Sequence, residues 1–481
     1  MKLKKKIAIN TIIQIISKLI STLIGLFSIG IITRYLGNEG FGEYTTIITF
    51  LSFFGIIADL GLTLISARMI SKPGIDEKMI LGNLFGLRIV SAIFFIGMAP
   101  LIVLFFPYSS AVKKGVLIVF ISFIFVALNQ ILVGLFQKNL RMDKVSIAEI
   151  TSRISFLIIV IFVTKFNLGL NGILSASVFS ALISFFIHYI FSRKFAIIVP
   201  KFDFKYWKKI IKLSWPLALT IFFNLLYLRS DIIFLSIIPR PSKMGIISEV
   251  GLYGAAYRVI DVLITLPFMF SGIILPILSK SWDENKHEDF RNILQKSFDL
   301  MVILALPISF GAQFLGKDIM VLIAGKEFAL SGDILKILIL AASLIFLGNI
   351  FAHAIIAINR QKNIIGAYFF VAISSLAGYV LLIPRLSYFG AALVTVYSEL
   401  FIALSSIYLI KKYTNFIPKT KIFIKALLSS CLMSLVLYLG KKYLSENIYL
   451  NLVLGIGSYI FFIILLKGVS KEDISFLFKK E

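Results

Sequence analysis

The sequence predicts an all-α polytopic membrane protein of about fourteen transmembrane helices, arranged as two pseudo-symmetric six-helix lobes plus a C-terminal helix pair. Three observations predict it. Hydrophobic residues make up 59% of the 481 positions and charged residues only 15%, too few charges to coat a soluble surface of that size. Apolar runs of about twenty residues, enough to cross a bilayer, recur along the whole chain. Polar hinges repeat at an offset of about 210 residues, as an internal duplication would place them.

The runs lie near residues 7–33, 44–69, 80–106, 115–136, 148–164, 170–191, 210–238, 249–279, 298–322, 333–358, 363–383, 388–410, 422–440 and 448–467. The first follows Lys2, Lys4, Lys5 and Lys6, which gives it the look of a signal peptide. It is too long for one, has no small-residue cleavage site and is followed by further spans, so it is expected to stay as the first helix. Arg34-Tyr-Leu-Gly-Asn-Glu-Gly-Phe-Gly-Glu-Tyr44 joins it to the second, and three glycines within six positions let the chain reverse there. Each of the two helices carries one polar stripe at steps of three and four. The first is striped by Asn10, Gln14, Lys18, Ser21, Gly25 and Ser28, the second by Thr45, Thr49, Ser52, Asp59, Thr63 and Ser66. Lipid does not tolerate such faces, so they line protein or water.

Short turns connect spans two to six, among them Pro73-Gly74 and the Asn139-Leu-Arg141 segment, and none could hold a soluble domain. This places an N-lobe at 1–191. A basic linker follows at 192–209, with Arg193, Lys194, Lys201, Lys205, Lys208, Lys209 and the interfacial Trp207, then a C-lobe at 210–410 and a terminal pair with its tail at 411–481. Span seven carries Thr220, Asn224, Tyr227 and Asp231, with Pro216 near its start. Span eight opens with Val250-Gly-Leu-Tyr-Gly-Ala-Ala-Tyr257 and is striped by Gly254, Tyr257, Asp261 and Thr265. Stripe, Gly-rich turn, Tyr and buried Asp repeat the opening hairpin. Ile358-Asn-Arg360 echoes Asn139-Leu-Arg141 in the same way. Six spans per half is an even number, so the halves share one orientation. Residues 280–297, with Phe290, Ile293, Leu294 and Phe298 at helical spacing, are expected to form a surface-lying amphipathic helix.

The formal charge of +25 would suggest nucleic acid in a soluble chain, but here it segregates by loop. With the N-terminus inside, roughly 30 Lys and Arg fall in inner loops and tails and about 11 in outer ones, which predicts both termini in the cytoplasm and no nucleic-acid partner. Cys431 is the single cysteine, and His188, His287 and His353 lack ligand spacing, so no disulfide, metal or cofactor is expected. Nor is there a catalytic constellation, a phosphate-cradling loop or a nucleotide-binding domain, and the chain is expected not to be an enzyme.

What remains is a set of ionisable groups within spans: Lys18, Asp59, Arg88, Arg153, Arg229, Asp231, Arg258 and Asp261. A charge at depth is costly, so it pairs or faces water. Arg258 and Asp261, three apart on one helix, could neutralise one another, and Arg229 and Asp231 could serve an interface. Arg68 and Arg153 lie near a boundary, where snorkelling accounts for them. Lys18, roughly 17 Å into the first helix with no acid within a turn, suits an anionic substrate such as a phosphate or diphosphate headgroup.

Leu36-Gly37, Gly40-Phe-Gly42-Glu-Tyr44, Ala58-Asp-Leu-Gly-Leu62, Val250-Gly-Leu-Tyr253 and Tyr257-Arg258, taken in order and spacing, resemble bacterial polysaccharide-unit (O-antigen and capsule repeat) flippases of the multidrug/oligosaccharidyl-lipid/polysaccharide exporter superfamily. The resemblance covers essentially the whole chain. It implies a two-lobed transporter of the cytoplasmic membrane in which helices one, two, seven and eight line a cavity. It further implies translocation of undecaprenyl-diphosphate-linked saccharides to the outer leaflet by alternating access, coupled to a proton or sodium ion, by a chain expected to act as a monomer among membrane lipids. Arg34, before the hinge Leu-Gly, matches a frequent basic position of that family. The candidate substrate residues are then Gln14, Lys18, Arg34, Arg88, Asn224, Arg229, Tyr257 and Arg258, with Asp59, Asp231 and Asp261 for the coupling ion. Asp59 and Asp261 make the cavity less cationic than the family pattern, which keeps a drug or organic-cation antiporter of the same superfamily open as an alternative. A membrane saccharide polymerase would need a large external loop, and none here exceeds about a dozen residues.

Overall fold

The computed structural model describes residues 3–59, 61–70, 77–196, 198–445 and 447–469, all helix, turn or irregular chain without a strand. The side chains of Lys2 to Lys6, Arg68, Pro216 and Thr220, the Pro73-Gly74 turn and the end of the C-terminal tail lie outside the described residues. The helices are α1 Leu3–Asp59, α2 Leu62–Ile70, α3 Glu77–Ser91, α4 Gly97–Ile102, α5 Ser110–Lys138, α6 Met142–Lys165, α7 Gly169–Ser192, α8 Phe204–Leu228, α9 Ser230–Ile237, α10 Ile246–Asp283, α11 His287–Ala324, α12 Ser331–Ala357, α13 Ile365–Leu386, α14 Tyr388–Thr414, α15 Lys421–Tyr443 and α16 Ile448–Leu465.

Among the described residues, twelve helices are long and apolar enough to cross a membrane. One of these, Ile12–Asp59, would run roughly 70 Å if straight, more than twice a bilayer core of about 30 Å. It breaks at Gly37 (φ 65°, ψ −173°), in the hinge the sequence predicted, and so supplies two spans. The broken pair α8 and α9 supplies another, which brings the total to about fourteen.

The chain forms two compact units. The first comprises Met1–Gly254 with Tyr379–Ser387, the second Ala255–Gly378 with Tyr388–Glu481. In the first, α5 and α6 pack on α1 and both pack on α7, around a core that includes Leu84, Phe85, Leu132, Phe136 and Trp207. Residues approaching α8 lie against α3. The Lys201 amide donates to the Gly82 carbonyl (2.9 Å) and the Asp203 amide to Asn83 Oδ1 (3.1 Å), after which the Asp203 side chain caps the first turn of α8. In the second unit α12 packs between α11 and α14, and α15 lies on α11 with α16 beside it. Lys441 pairs with Asp318, and the Tyr459 hydroxyl donates to the Ile303 carbonyl (2.7 Å), so the terminal helices are tied to α11.

Residues 280–297 correct the sequence-based expectation. They are not a separate surface helix. α10 continues to Asp283 and α11, 38 residues long, begins at His287; its Phe290, Leu294 and Phe298 enter the second unit's core. Periodicity located an apolar face but could not say that protein, rather than a membrane surface, covers it.

The internal repeat is visible in the backbone. Gly37 and Gly245, each with positive φ, precede a helical stretch. Leu140 and Asn359 share a φ near +55°, and the next amides close the same wide turn, Arg141 to the Phe136 carbonyl (2.9 Å) and Arg360 to that of Ile355 (3.0 Å). Each arginine then lies over an aromatic ring, Phe195 and Tyr413 respectively. Within the first unit the two halves of the repeat meet reciprocally. A Cβ on Gly42 would fall 1.9 Å from the Ile247 carbonyl oxygen, and one on Gly251 would fall 2.0 Å from that of Asn38. Each glycine sits four residues beyond the carbonyl its mate receives. Only residues without a side chain permit backbones this close.

Candidate functional site

Two spans of the first unit are interrupted, and an aspartate marks each interruption. The second span ends its first helix at Asp59, and Gly61 (φ 71°) then redirects the chain into α2. In an unbroken helix the Ala58 carbonyl would accept from residue 62. Here it accepts instead from Arg88 Nη1 (3.2 Å) and the Ser91 hydroxyl (2.9 Å) of α3. The Arg88 side chain is fully buried and also donates to Asp59, to Thr63 Oγ1 (2.8 Å) and to Gln130 of α5. Thr63 in turn bonds Asp59 and Gln130. Two predicted site residues, 29 positions apart on separate helices, thus form one buried ion pair whose remaining bonds satisfy a backbone break.

The second interruption falls between α8 and α9, at Arg229 (φ −127°, ψ −7°), where the sequence suggested one continuous span. The Tyr227 carbonyl, two residues before the break, accepts from the Tyr379 hydroxyl at 2.8 Å. Asp231 is buried at the first turn of α9, accepting from the Tyr253 hydroxyl (2.7 Å) and the Ile232 amide (2.7 Å). Asn224 donates to the Tyr227 hydroxyl (2.8 Å), so Asn224, Arg229 and Asp231 all belong to this one broken segment. Irregular backbone at membrane depth persists only where protein or a polar cavity surrounds it.

The stripe on α1 divides. Asn10, Ser21 and Ser28 are buried, Asn10 accepting from the Met142 amide (2.8 Å), while neighbouring Ser17 meets Ser146 (2.6 Å). Gln14 and Lys18 are exposed. They do not share the apolar exposed face formed by Ile12, Ile16, Leu19, Leu23 and Phe27. At 3.6 residues per turn Lys18 lies about 140° round the helix from the centre of that face. No ion pair holds Lys18 among the described residues.

The remaining candidates lie apart. Arg34 is exposed and donates to the Gly30 carbonyl (2.8 Å). Tyr257 is buried in the second unit. Arg258 and Asp261 pair there at 3.5 Å, both partly accessible. Two buried acids escaped sequence reasoning: Glu249, paired with Arg240 at 2.7 Å, and Glu399 of α14, whose Oε1 is unbonded. For Glu399 the signal was a lone glutamate inside the 388–410 run.

A match to a family described as polysaccharide biosynthesis protein spans residues 7–282, more than half of the chain. The chain belongs to this family. Among curated relatives, the polysaccharide biosynthesis match extends to the capsular polysaccharide biosynthesis protein CapF of Staphylococcus aureus, 26% identical over 302 residues, 61% of this chain and 73% of that one. A probable low-salt glycan biosynthesis flippase of Haloferax volcanii, Agl15, is 25% identical over 151 residues, which span 31% of this chain and 32% of the relative's length. Among solved structures, the lipid II flippase MurJ in an inward closed conformation has a TM-score of 0.76 at 20% identity, covering 94% of this chain and 98% of that one. An inward-facing multidrug resistance MATE family transporter has a TM-score of 0.64 at 12% identity, covering 83% of this chain and 94% of that one. This polysaccharide biosynthesis family member therefore has the fold of the flippase-type transporters of the multidrug/oligosaccharidyl-lipid/polysaccharide exporter superfamily.

Proposed function

We propose that the chain is a flippase that moves undecaprenyl-diphosphate-linked oligosaccharide repeat units from the inner to the outer leaflet of the bacterial cytoplasmic membrane, by ion-coupled alternating access, for surface polysaccharide synthesis. The observation that carries this reading is Lys18. Arg88 and Arg258 each meet an aspartate, whereas Lys18 is exposed near the middle of a spanning helix, turned away from that helix's apolar exposed face. A cation so placed is costly unless it meets water or an anion. A diphosphate supplies the anion through charge-assisted hydrogen bonds, worth about 1.5–3 kcal/mol. Gln14, one turn away, adds a neutral donor. The names of the relatives support a saccharide cargo.

Lys18→Ala should abolish surface polysaccharide at normal protein level, Lys18→Arg should retain part of it, and Lys18→Glu should be inactive. Full export by Lys18→Glu at normal expression would overturn the assignment. A proton or sodium ion is the proposed coupling ion. Asp231 is the favoured acid of the three candidates: it sits at a backbone interruption, where transporters of this kind bind ions, whereas Asp59 at the other interruption is engaged by the buried Arg88 guanidinium and Asp261 pairs with Arg258. Likeness to multidrug exporters keeps a second reading in view, export of organic cations. In that case Lys18→Ala would spare or improve transport. Cytoplasmic termini complete the proposal, and a reporter placed after Lys209 should read as cytoplasmic.

A further inference from the structure

Glu399 is a buried acid that the transport reading leaves unused and, unlike Glu249 with its Arg240 partner, it has no ion pair among the described residues. It sits midway along α14, only 6% exposed. Its Oε1 has no hydrogen-bond partner, and among the described residues no lysine or arginine pairs with it. One turn further on, Ala403 lies against Gly348, so closely that a Cβ on the glycine would be 3.1 Å from the alanine's. The glutamate's own side of α14 therefore faces α12. Next to it, Ser398 meets Ser375 of α13 (2.9 Å) and spends its own proton on the Val394 carbonyl (2.7 Å). Two turns along, Ser406 is likewise buried with its hydroxyl unbonded.

The titratable groups on the surrounding elements offer no compensating cation. From α13, Tyr368 packs against the second unit's core and brings no positive charge. Further along α13, Tyr379 is committed to the Tyr227 carbonyl, and Arg385 lies in the last turn. From α12, His353 engages the Asn349 carbonyl through Nδ1 (2.8 Å), while Asp333 and Lys336 pair with each other at the first turn. Lys362 belongs to the short turn Gln361–Ile364 and is exposed, as are Lys411 and Lys412 at the far end of α14. Tyr397 donates to Ser374 (3.0 Å). A carboxylate ion in this setting would be both desolvated and unpaired, the costliest arrangement for a side chain inside a membrane protein. The carboxylic acid, carrying its own proton, fits.

We propose that Glu399 is a proton-binding site: it holds a proton in the conformation seen here and releases it when α12, α13 and α14 move during transport. The chemistry is the reversible joining of one proton to one carboxylate oxygen, with no other bond made or broken. Proton binding stands by itself. Its coupling role rests on the transport reading above.

Infrared difference spectroscopy on the purified full-length protein in lipid nanodiscs tests the first part. The wild type should show a protonated-carboxyl band that shifts in heavy water and is missing from Glu399→Gln, while Glu399→Asp keeps a displaced band. Identical spectra for wild type and Glu399→Gln would overturn the proton site. Transport of lipid-linked saccharide into proteoliposomes under an imposed pH gradient tests the second part. Glu399→Gln should lose the response to the gradient, by about tenfold in rate. An unchanged response, or dependence on a sodium gradient with no carboxyl band, would overturn the coupling role. Failure of the wild type to move any lipid-linked saccharide would count against the flippase reading alone, because the infrared band decides the proton site without it.

Discussion

The interruption at Asp59 and the interruption at Arg229 solve one problem with different chemistry. At both, a carbonyl lies beside a break in a spanning segment, and at both a side chain of a neighbouring helix donates to it. At the first the donor is a charged guanidinium, backed by Ser91, and the charge obliges Asp59 to be there. At the second it is the neutral phenol of Tyr379. A neutral donor costs little to bury and can be withdrawn when helices move; a charged one, once buried with its counterion, is costly to part. On this contrast the break between α1 and α2, tied to α3 by a buried ion pair, is expected to hold through a conformational change, and the break between α8 and α9 to be the one that alters.

The largest effect that would break this contrast is expected at Asp59. Asp59→Ala strands the buried Arg88 guanidinium and should destabilise the protein by about 3–5 kcal/mol, read as a lowered midpoint in a thermal or denaturant melt of the detergent-solubilised protein. The double variant Arg88→Met with Asp59→Leu should recover much of that loss. If Asp59→Ala melts like the wild type, the rigid-junction reading fails. A smaller effect should follow at the other interruption, where Tyr379→Phe removes one neutral hydrogen bond for about 1 kcal/mol. Its sharper signature is dynamic: amide hydrogen exchange should rise around residues 227–231 while the global melt barely moves. The smallest is expected of Ser91→Ala. Arg88 still serves the Ala58 carbonyl there, so a loss below about 1 kcal/mol and no local increase in exchange should result.

The closely crossed glycines offer a separate check on the internal repeat. Gly251→Val would drive a side chain into the Asn38 carbonyl and Gly42→Val into that of Ile247, so each should cripple accumulation in the membrane to a similar degree. A strong effect at one and none at the other would argue against the reciprocity.

Much of the fold was legible because a bilayer imposes simple demands. Spanning length, the reversal at Gly37, the duplication near 210 residues and the terminal helix pair all follow from hydrophobic runs and the residues that punctuate them. The sequence by itself also marked Asp59, Arg88, Asp231 and Lys18 as charges needing an explanation, since a charge within an apolar run is costly wherever the run lies. It could not say which explanation applied. That Arg88 neutralises Asp59, that α8 breaks at Arg229 with Tyr379 donating beside the break, and that Gln14 and Lys18 stay open while Ser21 and Ser28 are covered were decided only when helices distant in sequence packed together. Periodicity specifies a face and its polarity. Whether that face meets lipid, water or another helix depends on contacts between segments, and so does the state of a lone acid such as Glu399.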